Sequence, residues 1–161
     1  MSLFLLDTDT VTLVQHNFVP VLEAIRKNRS EGHEIGITAV TIEEQMEGWL
    51  KAIKMARTDD RAERTSIALL RSVRIWASFA LYPTTAGAFA EYRRLRQAKL
   101  NVGGRDLRIA AIALELDATV VTRNLRDFRR VPNLKFVDWS ATNLPTSSVH
   151  RSGLFHRLRI G

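Results

Sequence analysis

Short apolar runs alternate with longer amphipathic segments along this 161-residue chain. The apolar runs are continuous, which is typical of parallel strands covered on both faces. They predict strands at Leu3–Leu6, Ile35–Val40, Ala80–Tyr82, Ala118–Thr122 and Leu134–Val137. The amphipathic segments predict helices at Thr10–Val14, Val19–Lys27, Thr41–Met55, 65–79, 85–100 and Asp106–Leu116. Strands that alternate with helices indicate an α/β fold with a central, mostly parallel sheet flanked by helices.

Two of the predicted helices carry long apolar stripes, which we expect to face the core. The stripes consist of Ile42, Met46, Trp49 and Ile53 in the first helix and of Leu69, Leu70, Val73 and Trp76 in the second. The charged segment Arg57–Arg64 is expected to connect these two helices.

The charge and the cysteine content limit which binding partners and which kinds of site are compatible with the sequence. A net charge of +7 and a pI near 10.5 favour a polyanionic partner, whether nucleic acid, an anionic membrane or an acidic protein. A solvated basic surface without a specific partner is the alternative. The absence of cysteine excludes disulfides, thiolate zinc sites and cysteine nucleophiles, and it fits a cytoplasmic protein. No apolar run reaches the length of a membrane span, and the first residues do not resemble a signal peptide.

The composition changes after Trp139 to Ser, Thr, Asn, Pro, His and Arg. We therefore expect one folded domain over residues 1–140 and a basic, loosely ordered tail over residues 141–161.

Four acidic residues stand where predicted elements begin or end: Asp7, Glu44, Asp106 and Asp127. Carboxylates contributed by separated segments are what a magnesium-dependent, phosphodiester-cleaving site requires. Clustered carboxylates also repel one another unless a cation lies between them, so a cluster would itself favour a divalent metal.

Each acid also has a purely structural explanation. Asp7 is able to cap the helix that follows it, and Glu44 completes a capping box with Thr41 as the N-cap. Asp106 points roughly 160° away from Arg108 on its helix, toward the buried side. The helix dipole would stabilise it there, but a carboxylate that faces the interior still needs a partner or a metal. Asp127 follows a strand and fits a simple turn role equally well.

The segments that contain these acids resemble the motifs of PIN-domain ribonucleases, and most closely those of the VapC toxins of bacterial toxin–antitoxin pairs. The similar segments are Leu5–Asp9, Ile37–Gly48, Asp106–Ala111, Ala118–Phe128 and Pro132–Trp139. Two positions depart from the family pattern: Asp9 stands where Asn is frequent, and Gln45 replaces the usual apolar residue after the glutamate.

The resemblance implies a PIN-like domain with endoribonuclease activity that depends on Mg²⁺ or Mn²⁺. In that case Asp7, Glu44, Asp106 and Asp127 hold the metal, directly or through water. The expected supporting residues are Thr122, Asn124 and Asp9, and the expected RNA-binding residues are Arg123, Arg126, Arg129 and Arg130. The resemblance also implies an antitoxin whose C-terminal segment covers the active site, and a homodimeric toxin.

Two other functions compete with this one. Asp7 and Asp9 fit the Asp-x-Asp motif of haloacid-dehalogenase-type phosphatases, in which the first aspartate is phosphorylated and the second is a general acid. That class also needs a later lysine and an acidic pair after a strand, and Thr122-Arg123-Asn124 offers no such pair. The second alternative is a basic α/β module that binds RNA or a protein partner without cleaving anything.

Overall fold

Five parallel strands form the central sheet of the protein, whose computed structural model describes residues 1–141. The strands are β1 Leu3–Leu6, β2 Glu34–Thr38, β3 Ala80–Tyr82, β4 Thr119–Val121 and β5 Lys135–Val137. Their order in the sheet is β3-β2-β1-β4-β5, and every neighbouring pair is parallel. The predicted α/β class and the largely parallel sheet are therefore confirmed.

The seven helices of residues 1–141 connect the strands and pack on the sheet. They are α1 Thr8–Gln15, α2 Val19–Ser30, α3 Ala39–Lys54, α4 Asp59–Trp76, α5 Ala86–Gln97, α6 Gly104–Glu115 and α7 Leu125–Phe128. Four of them begin at an N-cap whose side chain accepts a hydrogen bond from the backbone N–H three residues on, which satisfies one free donor of the first turn. These caps are Asp7, Thr38, Thr58 and Thr85.

The core consists of two apolar clusters, one on each side of the sheet. Leu5 and Val120 belong to one cluster, whereas Leu6 and Val121 belong to the other, because successive strand residues point to opposite faces. The first cluster includes side chains of α5 and α6, and the second includes side chains of α1, α2 and α4. The result is a three-layer arrangement with the sheet in the middle.

The predicted capping box around Glu44 is wrong. Strand β2 ends at Thr38, and Thr38 itself caps α3 by accepting a hydrogen bond of 3.2 Å from the Thr41 backbone N–H. Thr41 lies inside the helix, where its buried hydroxyl donates to the Leu6 carbonyl at 3.3 Å. Glu44 is therefore in the second turn of α3 and has no capping role.

The predicted apolar stripes are only partly buried. Ile53 is 43% exposed, Leu70 58% and Val73 42%, although all three were expected to face the core. Helix α3 has 16 residues, or roughly 24 Å at 1.5 Å per residue. It is longer than the sheet it covers, so its last turns lie beyond the core. The segment Arg57–Arg64 is also not a simple connection, because α4 already begins at Asp59.

The expected tail lies almost entirely outside the described residues, so both its order and the domain boundary near residue 140 stay predictions. Within residues 1–141, no helix has the length and apolar character needed to cross a membrane.

Candidate active site

Asp7 lies at the carboxyl end of β1, next to the end of β4. Leu6 is in register with Val121, and the Asp7 backbone N–H donates to the Val121 carbonyl at 3.1 Å. The Asp7 side chain accepts a hydrogen bond of 2.8 Å from the Thr10 backbone N–H and so caps α1. Asp7 is only 6% exposed. The cap fixes the carboxylate at the edge of the sheet where open α/β folds bind their ligands.

Glu44 reaches the same edge from α3. Its Oε2 accepts a hydrogen bond from the Thr8 hydroxyl, and its Oε1 lies 3.4 Å from Arg105 Nη1 of α6. The Glu44 side chain is 18% exposed. These contacts join the first turn of α1, the second turn of α3 and the first turn of α6 around one carboxylate.

Asp106 and Asp127 are held together by a single amide. Asn124 Nδ2 donates to Asp106 Oδ2 at 3.0 Å and to Asp127 Oδ2 at 3.1 Å. Asp106 is in the first turn of α6, whereas Asp127 is in α7, directly after β4. The Asn124 backbone N–H donates in turn to the Thr122 hydroxyl at 2.9 Å, which positions the amide at the end of β4.

The electrostatics show that the other three acids act on Asp106. The pKa of Asp106 is raised to about 6, first because burial desolvates its carboxylate and then because Asp7, Glu44 and Asp127 add negative charge. Burial also raises the pKa of Asp7, although hydrogen bonding to Thr122 and Thr10 opposes that rise. The pKa of Asp127 is lowered, chiefly by the hydrogen bond from Asn124. A cation among these groups would relieve the repulsion that raises the pKa of Asp106.

Comparison with known proteins shows the family of this fold and site. A family model described as the PIN domain matches residues 9–134, which is most of the chain. The chain belongs to the PIN-domain family. It is similar to the "Ribonuclease VapC2" of Rickettsia felis, with 29% identity over 119 residues that cover 73% of this chain and 81% of the relative.

Two solved structures share the fold of this PIN domain. One is VapBC2 from Rickettsia felis bound to a DNA fragment from their promoter, with a TM-score of 0.70 and 22% identity, covering 85% of this chain and 98% of that one. The other is DNA-bound VapBC from Salmonella typhimurium, with a TM-score of 0.67 and 26% identity, covering 86% and 99%. The high coverage means that the described fold is close to the whole of the matched chains.

The predicted supporting residues divide into two groups. Thr122 is buried beside Asp7, and Asn124 bridges two of the acids, so both belong to the site. Asp9 instead points outward: its side chain is 64% exposed and lies 3.5 Å from Arg123 Nη2. This position leaves the phosphatase alternative without a general acid directed at Asp7.

The predicted RNA-binding arginines lie on one side of the site, along the segment that contains α7. Arg126 Nε is 3.3 Å from Asp127 Oδ1, and Arg130 Nη1 donates to the Asn101 carbonyl at 2.7 Å. Arg123 and Arg129 are exposed. Arg126 and Arg130 act on Asp127, and Arg123 pairs with Asp9, whereas the contact of any of the four arginines with RNA stays a prediction.

The oxygen atoms of the site suit a hard divalent cation, although they do not surround a metal position on all sides. Within residues 1–141, no group of three or more His, Cys, Asp or Glu side chains is placed to hold a metal ion by itself. Thr8 and Arg105 engage Glu44, and the Asn124 amide engages the other pair. Mg²⁺ commonly keeps several waters and binds through only one or two carboxylates, so an all-oxygen site of this kind suits it.

Sequence reasoning missed the residues that hold Glu44. Thr8 was part of the first motif but received no role, and Arg105 was not singled out at all. Arg105 also lies 2.5 Å from Glu47 Oε2, while Arg108 lies 2.6 Å from Glu43 Oε2. The spacing of two arginines on α6 against an acidic stretch on α3 was a visible signal, because side chains three residues apart share a helix face.

Proposed function

We propose that this PIN domain is an endoribonuclease that requires Mg²⁺ or Mn²⁺ and acts as the toxin of a toxin–antitoxin pair. The observation that carries the proposal is the convergence of Asp7, Glu44, Asp106 and Asp127 at the carboxyl ends of β1 and β4, where each affects the ionisation of Asp106. The similarity to a ribonuclease of Rickettsia felis supports the same reaction class.

The reaction is hydrolysis of an RNA phosphodiester. A water oxygen forms a new bond to phosphorus, the bond from phosphorus to the 3′ oxygen breaks, and that oxygen takes up a proton. A bound Mg²⁺ or Mn²⁺ would supply a lower pKa for water and stabilisation of the negative charge on the departing oxygen. Without a cation, the carboxylates would repel the phosphodiester, which supports a bound metal in the proposed reaction.

Two of the carboxylates would bind the cation directly, and two would bind it through water. Asp7 and Asp106 are the best candidates for direct ligands, because both are desolvated and Asp7 is the largest charged contributor to the raised pKa of Asp106. Glu44 and Asp127 would complete the site through water. Asn124 and Thr8 orient these carboxylates, and an orienting hydrogen bond is typically needed for full metal affinity and activity.

Arginine side chains would hold the RNA backbone beside the acids. Arg123, Arg126 and Arg129 lie exposed along the segment after β4, and Arg130 is adjacent to them. Phosphate contacts of this kind are sequence-independent and weaken as salt concentration rises. Binding of a labelled single-stranded RNA should therefore weaken when Arg126 and Arg129 are changed to Gln, and the loss should shrink at high salt.

The proposal includes a cognate antitoxin and a homodimer in the cytoplasm. Two structures similar to this chain are VapBC complexes, which supports a protein partner. Exposed apolar side chains on α3 and α4, among them Ile53, Leu70 and Val73, offer such a partner apolar area to cover. Co-purification with the protein encoded beside the toxin tests the first point, and light scattering of the purified toxin tests the second.

The experiment that tests the proposed activity is cleavage of a mixed RNA pool with Mg²⁺, with Mn²⁺ and with chelator. We expect cutting only with the metals and only by the protein with intact acids. Equal cutting by wild type and by Asp106→Asn would overturn the proposal.

A further inference from the structure

A groove between α1 and α3 opens directly from the acidic site. Thr8 and Glu44 are among its lining residues, so the groove adjoins the carboxylate cluster. Its volume is about 330 Å³, which is ample for one planar base. The rest of its lining includes Thr12, Gln15, His16, Gln45, Gly48 and Trp49.

Gly48 keeps this groove open. It lies in the interior of α3, where Gly is less favourable than Ala by roughly 1 kcal/mol. A Cβ atom at Gly48 would meet nothing within 4 Å, so contacts among residues 1–141 do not require a glycine there. With no side chain, Gly48 leaves this part of the groove unfilled, and Trp49, which is half-buried, also lines the groove.

Gln45 fixes the polar wall of the groove. It is 9% exposed, and its Nε2 donates to the Thr8 carbonyl at 3.2 Å and to Thr12 Oγ1 at 2.9 Å. Its Oε1 accepts a hydrogen bond of 3.0 Å from Gln15 Nε2. Both N–H groups of the Gln45 amide are thereby used, and its oxygen holds the Gln15 amide in one orientation. Among the hydrogen bonds of residues 1–141, Gln15 uses only this Nε2 group of its side chain, so its carbonyl oxygen is available to a ligand.

We propose that this groove binds an unpaired nucleobase of the RNA substrate, next to the phosphate that reaches the acids. The inference rests on the proposed ribonuclease function. An aromatic ring beside an open face and an oriented amide are the means by which proteins stack on and read single-stranded bases. The groove lining contains no Lys or Arg, so it does not suit a phosphate. The backbone would follow the arginines after β4, and the base would point toward α1 and α3.

The test compares two groove variants, one that fills the groove and one that removes a polar group from it, with a matched surface variant. Gly48→Leu fills the groove, Gln15→Ala removes the free carbonyl oxygen, and Ala62→Leu adds the same leucine at an exposed position of α4. Each protein is incubated with a randomised single-stranded RNA pool and Mg²⁺ or Mn²⁺, and the bases around each cut are counted by sequencing. Circular dichroism and thermal unfolding check that each variant is folded.

We expect wild type and Ala62→Leu to share a base preference at one position beside the cut. Gly48→Leu should reduce that preference about tenfold, the effect of losing roughly one base-stacking contact. Gln15→Ala should also reduce it, because the hydrogen bond from the base to the Gln15 carbonyl oxygen is lost. An unchanged preference in both folded groove variants would overturn the proposal. If those variants kept the preference but resisted inhibition by the antitoxin, the groove would belong to the protein partner instead.

Failure of the ribonuclease assignment is distinguishable from failure of the groove. If wild type cuts no RNA, the role of the groove is tested by measuring the binding of a labelled single-stranded RNA by fluorescence anisotropy. Gly48→Leu must then bind about tenfold more weakly than Ala62→Leu. Equal binding by the two would overturn the inference.

Discussion

Asn124 donates a hydrogen bond of 3.0 Å from its side-chain amide to Asp106 Oδ2. This contact joins the loop after β4 to the first turn of α6, two segments that meet only in the folded protein. The same amide also reaches Asp127, so one neutral side chain keeps two carboxylates in a fixed relation. Asn124 is therefore a positioning residue for the acidic site.

Replacing Asn124 with Ala should impair cleavage while leaving the fold intact. Both acids would lose their shared donor, and the pKa of Asp127 would rise, since the bond from Asn124 is the main cause of its lowering. We expect the rate of RNA cleavage to fall roughly 10–100-fold, as for other residues that orient metal ligands. The rate would be measured at several Mn²⁺ concentrations, and a wild-type rate throughout would contradict this role.

Asp106→Asn should stabilise the protein increasingly as pH rises. The pKa of Asp106 in the folded protein is about 6, above its ordinary value of 3.8, so the folded state binds more protons than the unfolded state between those values. Stability therefore falls as pH rises through that window, and ionised Asp106 is unfavourable above it. In the presence of a chelator, which removes the metal that Asp106 is proposed to bind, the Tm of Asp106→Asn minus that of wild type should be larger at pH 7.5 than at pH 4. A difference independent of pH would contradict the raised pKa.

Arg105 and Arg108 form a matched pair for testing competition with the metal. Arg105 lies 3.4 Å from Glu44, whereas Arg108 pairs with Glu43 outside the cluster. Arg105→Gln should free Glu44 and so strengthen Mn²⁺ binding severalfold in a calorimetric titration. Arg108→Gln should leave the affinity near that of wild type. Equal changes in Mn²⁺ affinity in both variants would show that only the overall charge of the protein affects metal binding.

Gly48 and Gly32 should respond in opposite ways to alanine. Gly48→Ala replaces a helix-interior glycine where a Cβ has free space, so it should raise the free energy of unfolding by about 0.5–1 kcal/mol. Gly32 has φ +80°, a conformation that L side chains rarely adopt, and Gly32→Ala should be destabilising. Urea unfolding of both variants would measure the two effects. A loss of stability in Gly48→Ala would show that the site is more crowded than the structure indicates.

The sequence was sufficient for the sheet and for the location of the acids. Leu3–Leu6 is a continuous apolar run, and its end necessarily places Asp7 at the carboxyl edge of a parallel sheet. Helix starts were harder to predict, because Thr38 and Thr41 are equally suitable caps and only the length of β2 decides between them. Asp127 fitted a simple turn after the strand, but it lies in the short helix Leu125–Phe128, which is anchored by buried Phe128.

Contacts between separated helices could not be predicted in the same way. The bond from Thr8 to Glu44 depends on how closely α1 approaches α3, and the pair of Arg105 with Glu44 depends on how α3 crosses α6. Neither distance follows from the periodicity of a single helix. Exposure of Ile53 likewise depends on how far α3 extends past the sheet, which periodicity does not report.

The most direct test of the account is cleavage of a mixed RNA pool by wild type, Asp106→Asn and Asp117→Asn, each with and without Mn²⁺. Asp117 is an exposed acid whose side chain pairs with Lys135, far from the cluster in the fold. The account predicts Mn²⁺-dependent cutting by wild type and Asp117→Asn, and none by Asp106→Asn. Metal-independent cutting, or equal cutting by all three proteins, would contradict it.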